Sequence, residues 1–210
     1  TITVYDEFLA GNISDNDTIC FLEDPHQIYL DTITTGADGN YIYQWQYNDN
    51  GTWNNVAGAN SDSYQPIGLS DSTDYQLVVT NLFCNQDLNT NIVNIIVNPL
   101  PDTSDIIGDL IVCSNQNDAN YTLSITPQNY RYEWFANDGS IVGTNQSKNC
   151  LINWPSNPGS NANLEVDVWI YETGCQITLY ENVDISTDEA TDVASVIHKP
   201  NSNILICNDS

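Results

Sequence analysis

The chain has 210 residues, with 28 Asp and Glu against 3 Lys and Arg, a formal net charge of −25 at pH 7. Phosphate binding draws on Lys and Arg to release counterions, so this balance excludes a nucleic-acid partner, and an anionic membrane surface repels the chain. No apolar run approaches the ~20 residues of a membrane-spanning helix, so direct membrane insertion is not expected, and the length suits about two domains.

In chain order, the sequence opens inside a strand-like stretch, "TITVY", and stops at "ILICNDS", which reads as a window on a longer polypeptide. Residues 1–11 are expected to be the last strand of a preceding module. From 12 to 100, short β-branched and aromatic runs alternate with turn residues, an all-β pattern. Ile28 and Leu30 share a face, and so do Tyr41, Tyr43, Trp45 and Tyr47 in "YIYQWQYNDNGTW". Tyr75, Leu77 and Val79 alternate in the next long strand, and "IVNIIV" (92–97) closes the module. Gly and Asn-Asp clusters such as "TGADGN" and "NDNG" mark the turns. A second module, 101–187, repeats the plan. Tyr132 and Trp134 in "YRYEWFANDGS" take the places of Tyr43 and Trp45, Cys150, Ile152 and Trp154 share a face, and Leu164, Val166, Val168 and Ile170 alternate with Glu165, Asp167, Trp169 and Tyr171. Residues 188–210 read as a linker and the first strand of a following module.

The repeat is visible in single residues: Cys20, Cys113 and Cys207 recur at about 90 residues, as do Cys84 and Cys175, and Trp45 and Trp134. That period is the size of an immunoglobulin-like β-sandwich, whose interior holds a Trp between the sheets, so Trp45 and Trp134 are read as core. The predicted architecture is a tandem of such sandwiches in an extended array.

Six cysteines fit an oxidising, extracytoplasmic setting. The periodicity proposes two bridges, Cys20–Cys84 and Cys113–Cys175, each tying a first-strand segment to a late turn, with Cys150 a small buried hydrophobe. Geometry decides whether those ends meet. Trp53, just after the "NDNG" turn, is the candidate for stacking on a sugar ring, with Tyr47, Trp169 and Tyr171 as further aromatic surface. Three turns place carboxylates among Asn and Gly: "ADGN" (Ala37 to Asn40, with Asp38), "NDNG" with Asp49, and "NDGS" with Asp138. These are candidate calcium ligands, against the simpler reading of turns that need positive φ. No cofactor is required. The two histidines, His26 and His198, lie in different segments without a Ser or Cys partner, and no catalytic motif occurs, so no enzymatic activity is expected.

The residues Tyr43, Trp45 and Gln46, then Gly51, Trp53, Val56, Gly58 and Ala59, then Tyr64 and Pro66, then Tyr75, Val79 and Cys84, form a pattern. It resembles the Ig-like repeats of giant secreted proteins of Bacteroidota. Tyr132, Trp134, Gly139, Gly143, "LINW" and Gly174-Cys175 are similar to the related PKD-like repeats. Where the family usually carries a Tyr-Tyr-Arg triplet, this chain has Asp74-Tyr75-Gln76. The resemblance implies export by the type IX system and display on the outer cell surface, in adhesins of the gliding-motility kind or in filament-like stalks. It also implies O-glycosylation at Asp-Ser/Thr triplets, here at Thr18, Thr32 and Ser72. The expected function is a non-catalytic structural or adhesive stalk segment. Its partners would be neighbouring repeats, surface glycans or like chains in a filament. The alternative is a carbohydrate-binding accessory module of a secreted polysaccharide-degrading enzyme.

Overall fold

A computed structural model of the chain describes residues 2–102, 105–124, 129–156 and 162–186. The fold is all-β, and it divides into two units, Thr1–Pro99 and Leu100–Ser210. Each is an Ig-like β-sandwich with its own core.

In the first unit, β1 (Asn12–Ile13), β3 (Ile28–Thr32) and β6 (Ser63–Tyr64) form one sheet. The other contains β2 (Asp17–Cys20), β9 (Val93–Asn98), β7 (Thr73–Asn81), β4 (Tyr41–Asp49) and β5 (Thr52–Asn55), in that order, with β8 (Gln86–Asn89) also on β7. Period-2 alternation drives the packing: Tyr75, Leu77 and Val79 of β7 all point inward, opposite Trp45, which is fully buried. Burying an indole of this size contributes roughly 2–3 kcal/mol, and its polar atom is satisfied, since Trp45 Nε1 donates to the Ser61 carbonyl at 3.0 Å. The β4–β5 hairpin turns on Asn50 and Gly51, both at positive φ (50° and 90°), as a two-residue turn requires.

The second unit repeats the plan. One sheet runs β10 (Ile106–Ile107), β12 (Ala119–Leu123), β15 (Asn149–Asn153), β14 (Ser140–Val142). Facing it are β13 (Tyr130–Asn137), β16 (Asn163–Ile170) and β17 (Gln176–Asn182), and β17 runs on into β18 (Asp184–Ser186), which pairs with β11 (Ile111–Cys113). Trp134 is fully buried and donates to the Ser147 carbonyl at 2.8 Å, the same bond that Trp45 makes. Leu164, Val166 and Val168 face inward, as do Cys150, Ile152 and Trp154.

The N-terminal segment departs from expectation. Phe8 and Ala10 are buried in the first unit's core, Phe8 stacks on Tyr41 at 5.8 Å, and Leu9 bridges to Thr35. Residues 6–10 thus pack on this sandwich and do not end a preceding one. The division between units falls after Pro99, close to the expected boundary. The expected linker and strand at 188–210 lie outside the described residues.

In both units an early strand runs parallel to the last described one: β2 with β9 in the six-stranded sheet, and β11 with β18 as a two-stranded sheet. Cys20 stands level with Asn98, and Cys113 level with Ser186. These cysteines therefore mark the exit end of each unit, where the last strand leaves it.

Candidate functional surfaces

The strand registers place the cysteines. Cys84 follows Asn81 in the β7–β8 turn, whereas Cys20 lies beside the other end of β7, whose Thr73 pairs with Ile95. At about 3.3 Å per residue, the two cysteines are on the order of 25 Å apart, and a disulfide needs Cα atoms within about 7 Å. Cys84 is a free, exposed thiol. In the second unit Cys175 directly precedes β17, and the chain stays extended to Ser186: Val183 N–H donates to Ala162 O and Asp184 N–H to Leu110 O. That puts Cys113 on the order of 30 Å from Cys175. Both expected intra-module bridges are therefore corrected, for one reason: the two expected partners sit at opposite ends of each sandwich. Cys20, Cys113 and Cys175 are nevertheless all disulfide-bonded. Cys150 is a free thiol buried in the core, as expected, and burial pushes its pKa up to about 11. Cys207 lies outside the described residues.

The β7–β8 tip that carries Cys84 is apolar. Leu82 and Phe83 are 68% and 63% exposed, and Phe83 meets Tyr5 edge-on at 5.0 Å. Beneath them lies a polar anchor. Asn81 is wholly buried; its Nδ2 donates to Asp38 Oδ1 (2.7 Å) and to the Asn40 carbonyl (2.9 Å). Its Oδ1 accepts the Cys84 N–H at 3.0 Å and lies 3.1 Å from the Cys84 sulfur. Sequence reading missed this surface; the signal was a Leu-Phe pair in a turn, where polar residues are the rule.

Trp53 is half-buried on the edge strand β5. Its cross-strand partner is Asn48, so it lies on the outer face with Gln46 and Asn48, while Tyr47 pairs with Asn54 on the opposite face. The register thus separates Trp53 from Tyr47. Around Trp53 the sheet carries linked amides: Gln76 Nε2 donates to Gln46 Oε1 (2.8 Å), Gln46 Nε2 to Asn55 Oδ1 (2.8 Å), and Asn48 Nδ2 to Asp74 Oδ2 (3.4 Å). In the second unit, Arg131 pairs across strands with Trp169. Its guanidinium carbon lies 5.6 Å from the Trp169 ring and 5.9 Å from that of Tyr171. Each such cation–π contact is worth about 0.5–1 kcal/mol at an exposed site. Trp169 and Tyr171 were legible as outward aromatics; Arg131 was not, because its partner is set by register.

The candidate calcium carboxylates do not converge within the first unit. Asp38 sits beside the start of β4 and Asp49 at its other end, and Asp138 belongs to the second unit. Asp38 already accepts hydrogen bonds from Asn40 and Asn81, and these hold its carboxyl below the usual range. Among the described residues no three His, Cys, Asp or Glu side chains gather as a metal site. Thr18, Thr32 and Ser72 are all exposed, and Ser72 Oγ accepts the Val97 N–H at 2.9 Å. His26 pairs with Asp17, Nδ1 to Oδ2 at 3.0 Å. Burial alone would raise the Asp17 pKa, but hydrogen bonds from His26 and Thr18 outweigh it and hold the carboxyl below its usual value.

The family described as "Domain of unknown function (DUF8696)" matches residues 9–99, the first unit only. No curated relative matches the chain. Among solved structures, the chain is similar to the fibronectin(III)-like modules of Clostridium thermocellum CbhA, at 12% identity and a TM-score of 0.36. That match covers 91% of this chain and 100% of the other. It is similar to a titin Ig tandem at 10% identity and TM-score 0.33, covering 89% and 100%. A third likeness is to SGBP-B of the Bacteroides ovatus mixed-linkage glucan utilization locus, solved with a mixed-linkage heptasaccharide, at 16% identity and TM-score 0.30. Here the match covers 87% of this chain and 46% of that one. No helix among the described residues is long and apolar enough to cross a membrane.

Proposed function

We propose that the chain is a non-catalytic segment of a large extracellular repeat protein, displayed on the cell surface as part of an adhesin or filament-like stalk. The observation that carries this reading is one sandwich plan built twice, with its buried Trp and its terminal cysteines at equivalent places and disulfide bonds at three of them. Disulfides persist in oxidising surroundings outside the cytoplasm, and 28 carboxylates with few opposing charges keep such a surface soluble. The resemblance to Bacteroidota repeats adds type IX export and O-glycans at Thr18, Thr32 and Ser72. Antibodies raised against residues 1–210 test the reading on intact cells. They are expected to label the surface, and external protease is expected to remove the label. Label that appears only after lysis overturns it.

A second reading has a specific observation in its favour: Trp53 stands on a sheet face of linked amides, and such groups pair with sugar hydroxyls while an indole stacks on the ring. A glycan array with the two-unit chain is the test. Reproducible binding that Trp53→Ala abolishes would make this a carbohydrate-binding module.

A further inference from the structure

The cysteines form a pattern that neither module explains by itself. Each sandwich carries one cysteine at its exit end (Cys20, Cys113) and another at the opposite end (Cys84, Cys175), too far apart to join within the unit. Cys20 is disulfide-bonded even though Cys84, the other cysteine of residues 1–99, is free. Cys175 holds the position in the second unit that Cys84 holds in the first, in the turn between the last long hairpin strands, and it is disulfide-bonded. Of two copies of one site, one is engaged and the other is open.

The open copy is prepared for a partner. Asn81, buried and fixed by Asp38 and the Asn40 carbonyl, holds both the Cys84 amide and its sulfur. The thiol is therefore presented at the surface in one orientation, and its side-chain entropy is already spent. Around it stand Leu82, Phe83 and Tyr5, exposed apolar side chains on a chain that is otherwise strongly acidic. Exposed apolar side chains clustered at one end of a sandwich are a surface meant to be covered.

We propose that Cys84 and its apolar tip dock the exit end of another sandwich module of this repeat, which presents its own cysteine at the position of Cys20 and Cys113, and that the two form a disulfide. This rests on the structural-repeat reading and gives it a joint. The bond forms by thiol–disulfide exchange. The Cys84 thiolate, its proton lost to water, attacks the module cysteine of a mixed disulfide with a small thiol. The new S–S bond forms, and the small thiol leaves as a thiolate with the bonding pair, so the small-molecule disulfide is the oxidant. Leu82, Phe83 and Tyr5 are covered in the same event.

The test is disulfide mapping on the full polypeptide as the cell exports it, with free thiols alkylated before digestion. The Cys84 peptide is expected to be joined to a peptide from another sandwich module, through a cysteine at the Cys20/Cys113 position. Cys84 found alkylated, capped by a small thiol, or joined to Cys150 overturns the proposal. A second measurement guards against a chance bridge: the Leu82→Ser, Phe83→Ser double variant is expected to lower the joined fraction several-fold, and an unchanged fraction removes the docking surface. A polypeptide with no further sandwich modules would instead sink the structural-repeat reading itself, so the two failures are distinguishable.

Discussion

Trp154 donates its indole N–H to the hydroxyl of Tyr121, 3.1 Å away, and Tyr121 in turn donates to the Asp109 carbonyl at 2.8 Å. The two rings meet edge-on in the second core, with centroids 6.3 Å apart. Gly108 makes room for this arrangement, since a Cβ there would lie 2.3 Å from the Tyr121 ring. Tyr121→Phe leaves the shape intact but strands the Trp154 N–H and the Asp109 carbonyl. A cost of about 1–3 kcal/mol is expected, read as a lower urea midpoint of the second unit with unchanged slope. No shift in that midpoint would show that water replaces the hydroxyl.

The same tyrosine predicts alkaline behaviour. Burial pushes Tyr121 up to about 12 and Tyr75, on β7 in the first core, to about 12 as well. Their ordinary value is near 10. The folded state binds these protons more tightly than the unfolded chain, so this stability is fully present below pH 10 and is lost as the pH rises from 10 towards 12. Absorbance titration at 295 nm should show two tyrosines ionising late and together with unfolding. All twelve tyrosines ionising reversibly near pH 10 in a folded protein would contradict the burial.

The two indoles should report on two separate cores. Trp45→Ala is expected to cost the first unit about 3–5 kcal/mol, and Trp134→Ala the same for the second. Each variant should lower one calorimetric transition and leave the other in place. A single transition that both variants shift together would mean that the units unfold as one.

The cysteines give a simple chemical readout. With the 210-residue chain folded at pH 8, an aromatic disulfide reagent should titrate Cys84 rapidly. Cys150, buried and pushed up to about 11, should react only on denaturation. Cys84→Ser should abolish the fast phase. Reductant should lower the melting temperature by breaking the bonds at Cys20, Cys113 and Cys175, each such bond being worth about 2–5 kcal/mol.

Two glycines separate space from conformation. Gly36 (φ +86°) has a built Cβ position 1.8 Å from the Glu7 carbonyl oxygen, so Gly36→Ala must push the N-terminal segment away. Gly51 (φ +90°) has open space, so Gly51→Ala costs only the backbone strain of about 1–2 kcal/mol. Gly36→Ala should be the more damaging of the two by thermal unfolding, with loss of protection at the Leu9 and Thr35 amides that bridge there.

The core was legible in the sequence because strand burial is local: every second residue of "LEVDVWIY" or "DYQLVV" announces its face, and one Trp per module announced the centre. The turn chemistry of Asn50 and Gly51 was legible for the same reason. The disulfide pattern was not. Equal spacing of Cys20 and Cys113 encodes the repeat, but whether each lies at the exit or the opposite end depends on β2 and β11 running parallel to strands some 70 residues later. Trp53 and Tyr47 looked like neighbours until the register put them on opposite faces. Phe8 and Ala10 were lost to the eye because a single bridge and a two-residue strand are too short to show a period.

The parallel pairing of Asp17–Cys20 with Ile95–Asn98, and of Ile111–Cys113 with Asp184–Ser186, has a mechanical meaning. When a chain is pulled from its two ends, the short β1 or β10 is drawn off ahead, and the load then pulls β2 against β9, or β11 against β18, in opposite directions. If they lie side by side in parallel, the load runs along the strands and across every rung of the ladder together. The rungs must then give way as a group, whereas an antiparallel hairpin peels open one rung at a time. Each sandwich is thus fastened by the pair of strands that tension reaches next, and those strands resist it in shear.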